Sequence, residues 1–295
     1  MNYHNIRTLR IASMTVLFAV LLTPPFCHGA QKVVLDIWTE KDTFLAHEPI
    51  FVYFQIRNEG DSTVYFNSYK MTEHLVITDS QGRGYATRLR GTDLGVDALS
   101  PGQAQKLSVD VCSRYGVQEV GKYSCHLRTH LYSVLNPTLL KSNAIEFEVV
   151  EPTGEEEKAL HLFLEAEKLI WARSEAGGPD LAKREVSFLK YQELADKYPK
   201  SVYAPKALRA AIGAYLHFRG HRRRVILVCL RLIEEYPNSY YWGSGFSHLI
   251  GIYEVEKDKA GAMKTMQELI DKHPNTKISE RAEYWLEKIE KWEFE

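Results

Sequence analysis

The chain has 295 residues, of which 45% are hydrophobic and 25% are charged, and its formal net charge at pH 7 is −1. A nearly neutral chain has no electrostatic basis for binding nucleic acid, and this length is sufficient for more than one folded domain. The composition therefore argues against a nucleic-acid-binding protein and predicts a multidomain protein.

The first thirty residues have the features of a secretory signal peptide. Arg7 and Arg10 precede an apolar run from Met14 to Leu22, and no acidic residue occurs in this segment. The run is too short to span a membrane, and the small residues after it predict cleavage after Gly29 or Ala30. We therefore expect a periplasmic or secreted protein without a membrane span in the mature chain. Its net charge would be about −3 once the two arginines are removed.

A competing interpretation makes Cys27 the lipid-modified residue of a lipoprotein. The residues before it, Pro24-Pro25-Phe26, lack the leucine and small residues that a lipidation signal resembles. Cleavage without lipid attachment is therefore the favoured prediction.

Residues 31–150 show the alternation of apolar and polar side chains that is typical of short β-strands. Ile50, Val52 and Phe54 would share one buried face of a strand, and Asn58-Glu59-Gly60-Asp61 would form the turn that follows it. Similar short runs recur as far as Val150. Their density predicts an all-β domain with the architecture of an antiparallel sandwich.

Two segments of this region resemble the immunoglobulin-like domains of secreted bacterial proteins. Glu48-Pro49-Ile50 is similar to the opening of such a domain, and Gly121-Lys122-Tyr123-Ser124-Cys125 is similar to a tyrosine corner. The resemblance implies an immunoglobulin-like β-sandwich over residues 31–150. Such domains serve as spacers, docking surfaces or sugar-binding modules.

The cysteines of the β region allow two interpretations. An exported chain can oxidise Cys112 and Cys125, so a disulfide between them is predicted. The alternative is a pair of buried thiols, because Cys112 lies one step off the apolar face on which Val109 and Val111 lie. Cys229 occupies an apolar position of a predicted helix, where a thiol usually packs in the core.

No motif for catalysis, a metal or a cofactor is evident. His126 and His130 would lie on one face of a strand but about 13 Å apart, too far to bind the same metal ion. The chain contains no Gly-x-Ser-x-Gly, phosphate-binding loop or His-Glu-x-x-His sequence. We therefore predict a non-enzymatic protein without catalytic residues, metal or cofactor.

Beyond an acidic linker at residues 151–157, residues 158–292 are predicted to be all-α and to contain one motif three times. Its prolines, Pro199, Pro237 and Pro274, lie 38 and 37 residues apart. Apolar residues recur before each proline at spacings of three and four, which predicts one buried stripe on a helix. These positions are Phe188, Tyr191, Leu194 and Ala195 in the first copy, Ile226, Cys229, Leu232 and Ile233 in the second, and Met263, Met266, Leu269 and Ile270 in the third. Proline ends this helix, a serine or threonine two residues later can cap the next one, and stacked pairs of helices would share a continuous core.

The clearest copy resembles a known family. The sequence from Tyr198 to Ala207, Tyr-Pro-Lys-Ser-Val-Tyr-Ala-Pro-Lys-Ala, is similar to the tetratricopeptide-like repeats of bacterial envelope proteins of the outer-membrane assembly lipoprotein and Tol-Pal coordinator type. The second copy departs from this pattern at residues 240–245. The resemblance implies helical repeats that bind partners rather than convert them.

Two clusters in the second copy are candidate partner-binding elements. The basic cluster contains His221, Arg222, Arg223 and Arg224, and the aromatic cluster contains Tyr240, Tyr241 and Trp242. The alternative interpretations are a solvated turn for the first and interlocking core residues for the second. We expect a scaffold or adaptor that binds a protein or peptide partner of the cell envelope through its repeats. The alternative is glycan or cell-wall polymer binding by the β-sandwich, with the repeats as an assembly platform.

Overall fold

A computed structural model describes residues 32–71, 73–87, 96–131, 138–170, 172, 180–215 and 221–293. The predicted signal peptide lies outside the described residues. The chain forms two compact units. The first contains the described residues up to Asp42, together with Ile50–Val117 and Lys122–Phe147, and the second contains Thr43–Pro49, Gln118–Gly121 and the chain from Glu148 onward.

The N-terminal region is rich in strands, as the alternating pattern predicted. The strands are β1 (Val33–Thr39), β2 (Thr43–Leu45), β3 (Phe51–Asn58), β4 (Val64–Phe66), β5 (Leu75–Asp79), β6 (Gly84–Tyr85), β7 (Asp97–Leu99), β8 (Ala104–Asp110), β9 (Gly121–Leu131) and β10 (Thr138–Val150). Two short helices interrupt them, α1 (Ser68–Met71) and α2 (Val111–Tyr115).

The pairing of these strands differs from a purely antiparallel sandwich. The sheet orders are β1-β3-β8, β2-β10-β9-β5-β6 and β4-β7. Strand β2 runs parallel to the end of β10, so that Phe44 pairs with Val149 in the second unit. Alternation in a sequence identifies the buried face of a strand but not the neighbour or direction of pairing, which is why this mixed arrangement was not predicted.

Strand β3 lies in the middle of the three-stranded sheet of the first unit. Its Phe54 pairs with Ile37 of β1 on one side and with Leu107 of β8 on the other, and Val52, Phe54 and Ile56 are buried. The Asn143 side chain of β10 accepts a hydrogen bond from the Ile37 amide at 2.8 Å and donates one to the Ile37 carbonyl at 2.9 Å. Asn143 thus links β10 to β1 by hydrogen bonds to the amide and the carbonyl of Ile37.

The predicted disulfide between Cys112 and Cys125 is not formed in the described structure, where both residues are buried thiols. The physical reason is a local change of secondary structure. Strand β8 ends at Asp110, whose carboxylate accepts hydrogen bonds from the Cys112 and Ser113 amides and so caps α2. Cys112 therefore lies on a helix, whereas Cys125 lies on β9.

The helical region follows without the full linker that was expected. Helix α3 (Glu155–Ile170) already contains three acidic residues of the predicted linker in its first turn, where carboxylates are stabilised by the helix dipole. Glu156 also accepts a hydrogen bond from the Ser201 hydroxyl at 2.7 Å. The remaining helices are α4 (Leu181–Lys197), α5 (Ala204–Tyr215), α6 (Arg222–Glu235), α7 (Trp242–Glu256), α8 (Lys259–Lys272) and α9 (Lys277–Glu290).

Three helical hairpins repeat the same backbone geometry. We call α4, α6 and α8 the A helices and α5, α7 and α9 the B helices. Each A helix ends just before a repeat proline, and the C-cap residues Tyr198, Tyr236 and His273 have φ, ψ angles of −129°, 59°, of −125°, 49° and of −127°, 51°. The sequence repeat is therefore a structural repeat.

The buried stripe of the A helices agrees with the predicted spacing. Tyr191, Leu194, Cys229, Leu232 and Met266 are each at most 1% exposed, and they belong to one hydrophobic cluster with residues of the B helices. Consecutive hairpins thus share one core, as stacked helical repeats require.

The segment Thr43–Pro49, which consists of β2 and the loop after it, belongs to the helical unit. The Tyr203 hydroxyl donates to the Ala46 carbonyl, and Lys206 Nζ donates to the His47 carbonyl at 2.8 Å. Tyr203 is fully buried, so its hydroxyl needs this acceptor. The first copy of the repeat therefore holds this loop through two side chains of the Tyr198–Ala207 segment.

Candidate functional site

The predicted aromatic cluster lies at the turn between α6 and α7 and is partly core. The Trp242 ring packs edge-on against Phe246, with ring centroids 5.3 Å apart, and both Trp242 and Tyr241 pack against the hydrophobic cluster. Tyr240 is 53% exposed and its ring contacts Tyr241. Tyr241 and Trp242 thus contribute to the packing of the core, whereas Tyr240 is the exposed residue of the three.

The predicted basic cluster lies at the start of α6, where two of its arginines form ion pairs. Arg222 contacts Glu256 of α7 at 2.8 Å, and Arg224 contacts Glu185 of α4 at 2.7 Å. Arg223 is exposed and forms no ion pair with the described residues, and His221 precedes the helix as its N-cap residue. Arg222 and Arg224 therefore connect helices, whereas the exposed Arg223 makes no such connection among the described residues.

The structure does not bring the two clusters together. The basic cluster precedes or opens α6, and the aromatic cluster follows the end of the same helix. A helix of 14 residues is about 20 Å long. One small ligand could not contact both clusters at once.

A surface that sequence reasoning missed lies on the A helices α4 and α6. Two ion pairs join these helices, Glu185 to Arg224 and Asp196 to Arg231. Between the paired residues along each helix lie Leu189 on α4 and Leu227 on α6, which are 51% and 60% exposed. The two leucines are thus exposed on neighbouring helices at the same level.

We call Val186, Leu189 and Leu227 the A-helix patch. Val186 is 45% exposed and lies one turn before Leu189 on α4. Leu189 and Leu227 both lie ten residues before a repeat proline, a position outside the buried stripe, which the third copy fills with Lys264. An apolar residue at this position in two copies was the sequence signal for the patch.

The ion pairs between A helices also follow the repeat. Asp196 and Glu234 each lie three residues before a repeat proline. Each forms an ion pair with a basic side chain of the next A helix, Asp196 with Arg231 and Glu234 with Lys272. Exposed ion pairs contribute little stability singly, but they hold side chains in one geometry. Here they border the apolar patch with charged groups.

Histidines and cysteines are further candidate reactive side chains among the described residues. In that part of the chain no group of three or more metal-ligating side chains occurs, and His126 and His130 lie on the outward positions of β9. Burial raises the pKa of Cys125 and of Cys229 to about 12, so neither thiol is ionised near neutral pH. No described helix combines the length and apolar character needed to cross a membrane.

Comparison with family models supports a helical repeat in the C-terminal region. A family model described as tetratricopeptide repeat matches residues 249–276, which run from within α7 to the turn after α8. This match supports a tetratricopeptide-like repeat protein, as predicted from the three proline motifs. A search of curated proteins found no match.

Three of the similar solved structures have low sequence identity and cover less than half of this chain. A β-glucosidase from Listeria innocua in complex with glucose is 16% identical over 41% of this chain and 16% of its own, with a TM-score of 0.26. The ApaA protein from Bordetella pertussis is 13% identical over 42% and 97% of the two chains, with a TM-score of 0.27. Spo0M, a sporulation control protein from Bacillus subtilis, is 10% identical over 46% and 54%, with a TM-score of 0.26. The chain spans about a sixth of the β-glucosidase, and these TM-scores support no functional argument.

Proposed function

We propose that this protein is a non-enzymatic scaffold or adaptor, exported to the periplasm or secreted, that binds a protein or peptide partner through its helical repeats. The A-helix patch is the observation that carries the proposal. Its two leucines are exposed on consecutive A helices, and each lies between the residues of two ion pairs that join these helices. An apolar centre with a charged border has the anatomy of a protein interface.

The energetics of this patch favour a binding role. Burying exposed leucine side chains against a partner removes apolar surface from water, which stabilises a complex by roughly 25 cal/mol per Å². The bordering ion pairs already restrain Arg224 and Arg231, so less side-chain entropy is lost on binding. The patch is therefore a partly preorganised surface.

The test uses the full chain and a partner captured from envelope extract and identified by mass spectrometry. We expect the double variant Leu189→Lys with Leu227→Lys to weaken partner affinity by about tenfold or more, since central apolar contacts dominate interface energies. Val255→Lys on α7 is the matched control, because Val255 is 70% exposed and lies outside the patch. Isothermal titration calorimetry gives the affinities, and circular dichroism checks folding. Unchanged affinity in the folded double variant would contradict the proposal.

The same assay tests the two clusters predicted from the sequence. Trp242→Ala removes the central ring of the aromatic cluster, and Arg223→Ser removes an arginine without breaking an ion pair among the described residues. Loss of affinity in either variant would extend the binding surface beyond the A-helix patch. Replacing Arg222 or Arg224 would also remove a contact between helices.

Export without lipid attachment is the second part of the proposal. It is supported by the short apolar run between Met14 and Leu22 and by the residues around Cys27. Mass spectrometry of the mature protein should find Ala30 or Gln31 at the N-terminus. A diacylated Cys27 would show a lipoprotein instead.

For the strand-rich unit we propose a variant of an immunoglobulin-like sandwich. The antiparallel sheet β1-β3-β8 and the link from Asn143 to β1 support this assignment. A second candidate function, binding of an anionic glycan or cell-wall polymer, is favoured by cations on the outward positions of β9. Lys122 and Arg128 are both exposed there. Binding of a purified anionic cell-wall polymer that Arg128→Ser does not weaken would count against this function.

A further inference from the structure

One face of α9 carries cationic side chains that lie over aromatic rings. Lys277, Arg281, Tyr284 and Lys288 are spaced by four, three and four residues, so they share one side of the helix. The Arg281 guanidinium carbon lies 4.8 Å from the centre of the Tyr284 ring, and Lys288 Nζ lies 5.1 Å from the same centre.

The row continues to two tryptophans. The Arg281 guanidinium carbon lies 5.6 Å from the centre of the Trp285 ring, and Lys277 Nζ lies 5.2 Å from the centre of the Trp242 ring on α7. These contacts make one continuous surface. We call Trp242, Lys277, Arg281, Tyr284, Trp285 and Lys288 the α9 strip.

The charges of the α9 strip are not neutralised in the way that other cations of the helical unit are. Arg224, Arg231 and Lys272 all pair with carboxylates of neighbouring A helices. By contrast, Lys277, Arg281 and Lys288 form no ion pair with the described residues, and Lys277 donates to the Asn238 amide oxygen at 2.8 Å. Interaction with a ring face stabilises each cation but leaves its positive charge in place.

The α9 strip is also rich in hydrogen-bond donors and poor in acceptors. Arg281 Nε and Trp285 Nε1 are shielded from solvent and have no acceptor among the described residues. Tyr284 is 44% exposed, and Lys277 and Lys288 are exposed. From Lys277 to Lys288 the α9 strip is about 16 Å long, which matches about five residues of an extended peptide.

We propose that the α9 strip binds an acidic segment of a protein partner. This inference rests on the proposed function and adds the chemistry of the partner to it. Aspartate or glutamate carboxylates would accept hydrogen bonds from the planar Arg281 guanidinium and from the two lysines. Tyr284 and Trp285 would contribute flat apolar contact, which is typical of residues that dominate interface energies.

A row of acidic residues next to the α9 strip favours a narrow peptide over an extended anionic surface. Glu280, Glu283 and Glu287 are exposed on α9 beside the cationic face. They would repel a wide surface of uniform negative charge, such as an anionic membrane, but a single acidic chain can follow the cationic face alone.

The probe for the α9 strip is a fluorescein-labelled oligoglutamate of about twelve residues, long enough to span it when extended. Fluorescence anisotropy measures its affinity for the full chain at low and at physiological salt. We expect the double variant Arg281→Glu with Lys288→Glu to weaken binding by about tenfold or more, because both attractive charges become repulsive. Tyr284→Ala should weaken it by about threefold through loss of the aromatic contact.

The matched control is Lys158→Glu with Lys264→Glu, which changes the net charge by the same amount on α3 and α8. Both lysines are exposed. We expect less than about a twofold change in this control, since charges far from the binding site are screened by salt. Circular dichroism and thermal unfolding check that each variant is folded.

Three outcomes would overturn the inference about the α9 strip. The first is absence of oligoglutamate binding by the unmodified chain, and the second is equal weakening in both double variants, which would show a net-charge effect. In the third, the unmodified chain binds phosphatidylglycerol vesicles but not oligoglutamate, and the Arg281→Glu with Lys288→Glu variant no longer binds the vesicles.

The captured partner separates this inference from the proposed function. Loss of partner affinity in both the A-helix patch variant and the α9 strip variant supports both. Partner affinity that falls only in the Leu189 and Leu227 variant supports the proposed function and overturns the role of the α9 strip. Affinity unchanged in both folded variants overturns both.

Discussion

At the scale of single residues, Gly245 shows how closely two helices approach. The equivalent position is Ala207 in the first copy and Ala282 in the third, each eight residues after the repeat proline. A Cβ atom built on Gly245 would lie 2.9 Å from Ile233 Cγ1 and 3.3 Å from the Cys229 carbonyl oxygen of α6. Gly245 therefore allows a separation of α6 and α7 that a larger residue would prevent.

We expect Gly245→Ala to destabilise the protein by about 1 to 3 kcal/mol, because overpacking forces neighbouring atoms apart. Gly251→Ala on the same helix is the matched control, since nothing lies within 4 Å of a Cβ atom there. That replacement should stabilise the helix by about 0.5 to 1 kcal/mol, because alanine is a better helix former than glycine. Urea unfolding measures both, and equal effects would contradict the close approach.

Half-buried histidines should make stability depend on pH. Burial lowers the pKa of His248 below 6.5, and nearby Arg209 lowers it further, although a hydrogen bond to the Ser244 carbonyl acts in the opposite direction. The folded state then binds a proton less readily than the unfolded state. The contribution to stability is complete above pH 6.5 and is lost as the pH falls from there towards the lower pKa of the folded state.

The urea midpoint should therefore be lower at about pH 5.5 than at about pH 7.5. His248→Gln should reduce this difference, because glutamine does not titrate. His161→Gln on α3 is the control, since that side chain is largely exposed. In the contrary outcome, the urea midpoint falls equally between the two pH values in the unmodified chain, in His248→Gln and in His161→Gln. That result would assign the pH dependence to other groups, among them His47, whose pKa is also lowered by burial.

At the scale of elements, the second and third copies begin their B helices differently. Thr276 Oγ1 accepts hydrogen bonds from the Ile278 and Ser279 amides, and the Ser279 hydroxyl accepts one from the Thr276 amide, so α9 begins with a capping box. Ser239 holds the equivalent position in the second copy, but α7 begins only at Trp242. The Ser239 hydroxyl is buried without a hydrogen-bond partner among the described residues.

We expect Thr276→Ala to destabilise the protein by about 1 kcal/mol through loss of the N-cap. Ser239→Ala is the matched control and should be neutral or slightly stabilising, because it removes a buried polar atom without a partner. Thermal unfolding compares the two variants. A larger loss for Ser239→Ala would mean that its hydroxyl has an acceptor in solution.

At the scale of the whole molecule, the helical repeats should respond to a core substitution as one cooperative unit. Leu232 is fully buried on α6 and belongs to the hydrophobic cluster that extends from α3 to α9. Stacked repeats depend on their neighbours for stability, so a cavity in one repeat weakens the contacts of the next.

Leu232→Ala should destabilise the helical unit by about 2 to 5 kcal/mol, the range for buried leucines that leave a cavity. Leu227→Ala, on the same helix but 60% exposed, is the control and should change stability by less than about 0.5 kcal/mol. Far-ultraviolet circular dichroism during urea unfolding measures both. No change for Leu232→Ala would contradict the shared core.

The sequence alone determined the features that depend on local periodicity. The proline spacing and the apolar stripe through Leu194, Leu232 and Leu269 predicted three helical hairpins and their buried faces. Alternation through Val52 and Phe54 likewise predicted a buried strand face. These predictions succeed because a helix or strand repeats its own geometry every few residues, whatever it packs against.

Only the tertiary structure decided which distant groups meet. Glu185 and Arg224 are 39 residues apart and Asp196 and Arg231 are 35 apart, so only the stacking of α4 and α6 could show that they pair and border Leu189 and Leu227. The same applies to the parallel pairing of β2 and to the placement of Cys112 on a helix. The exposure of a side chain and the partner of a charged group both depend on the neighbouring elements. Local periodicity does not predict which elements become neighbours.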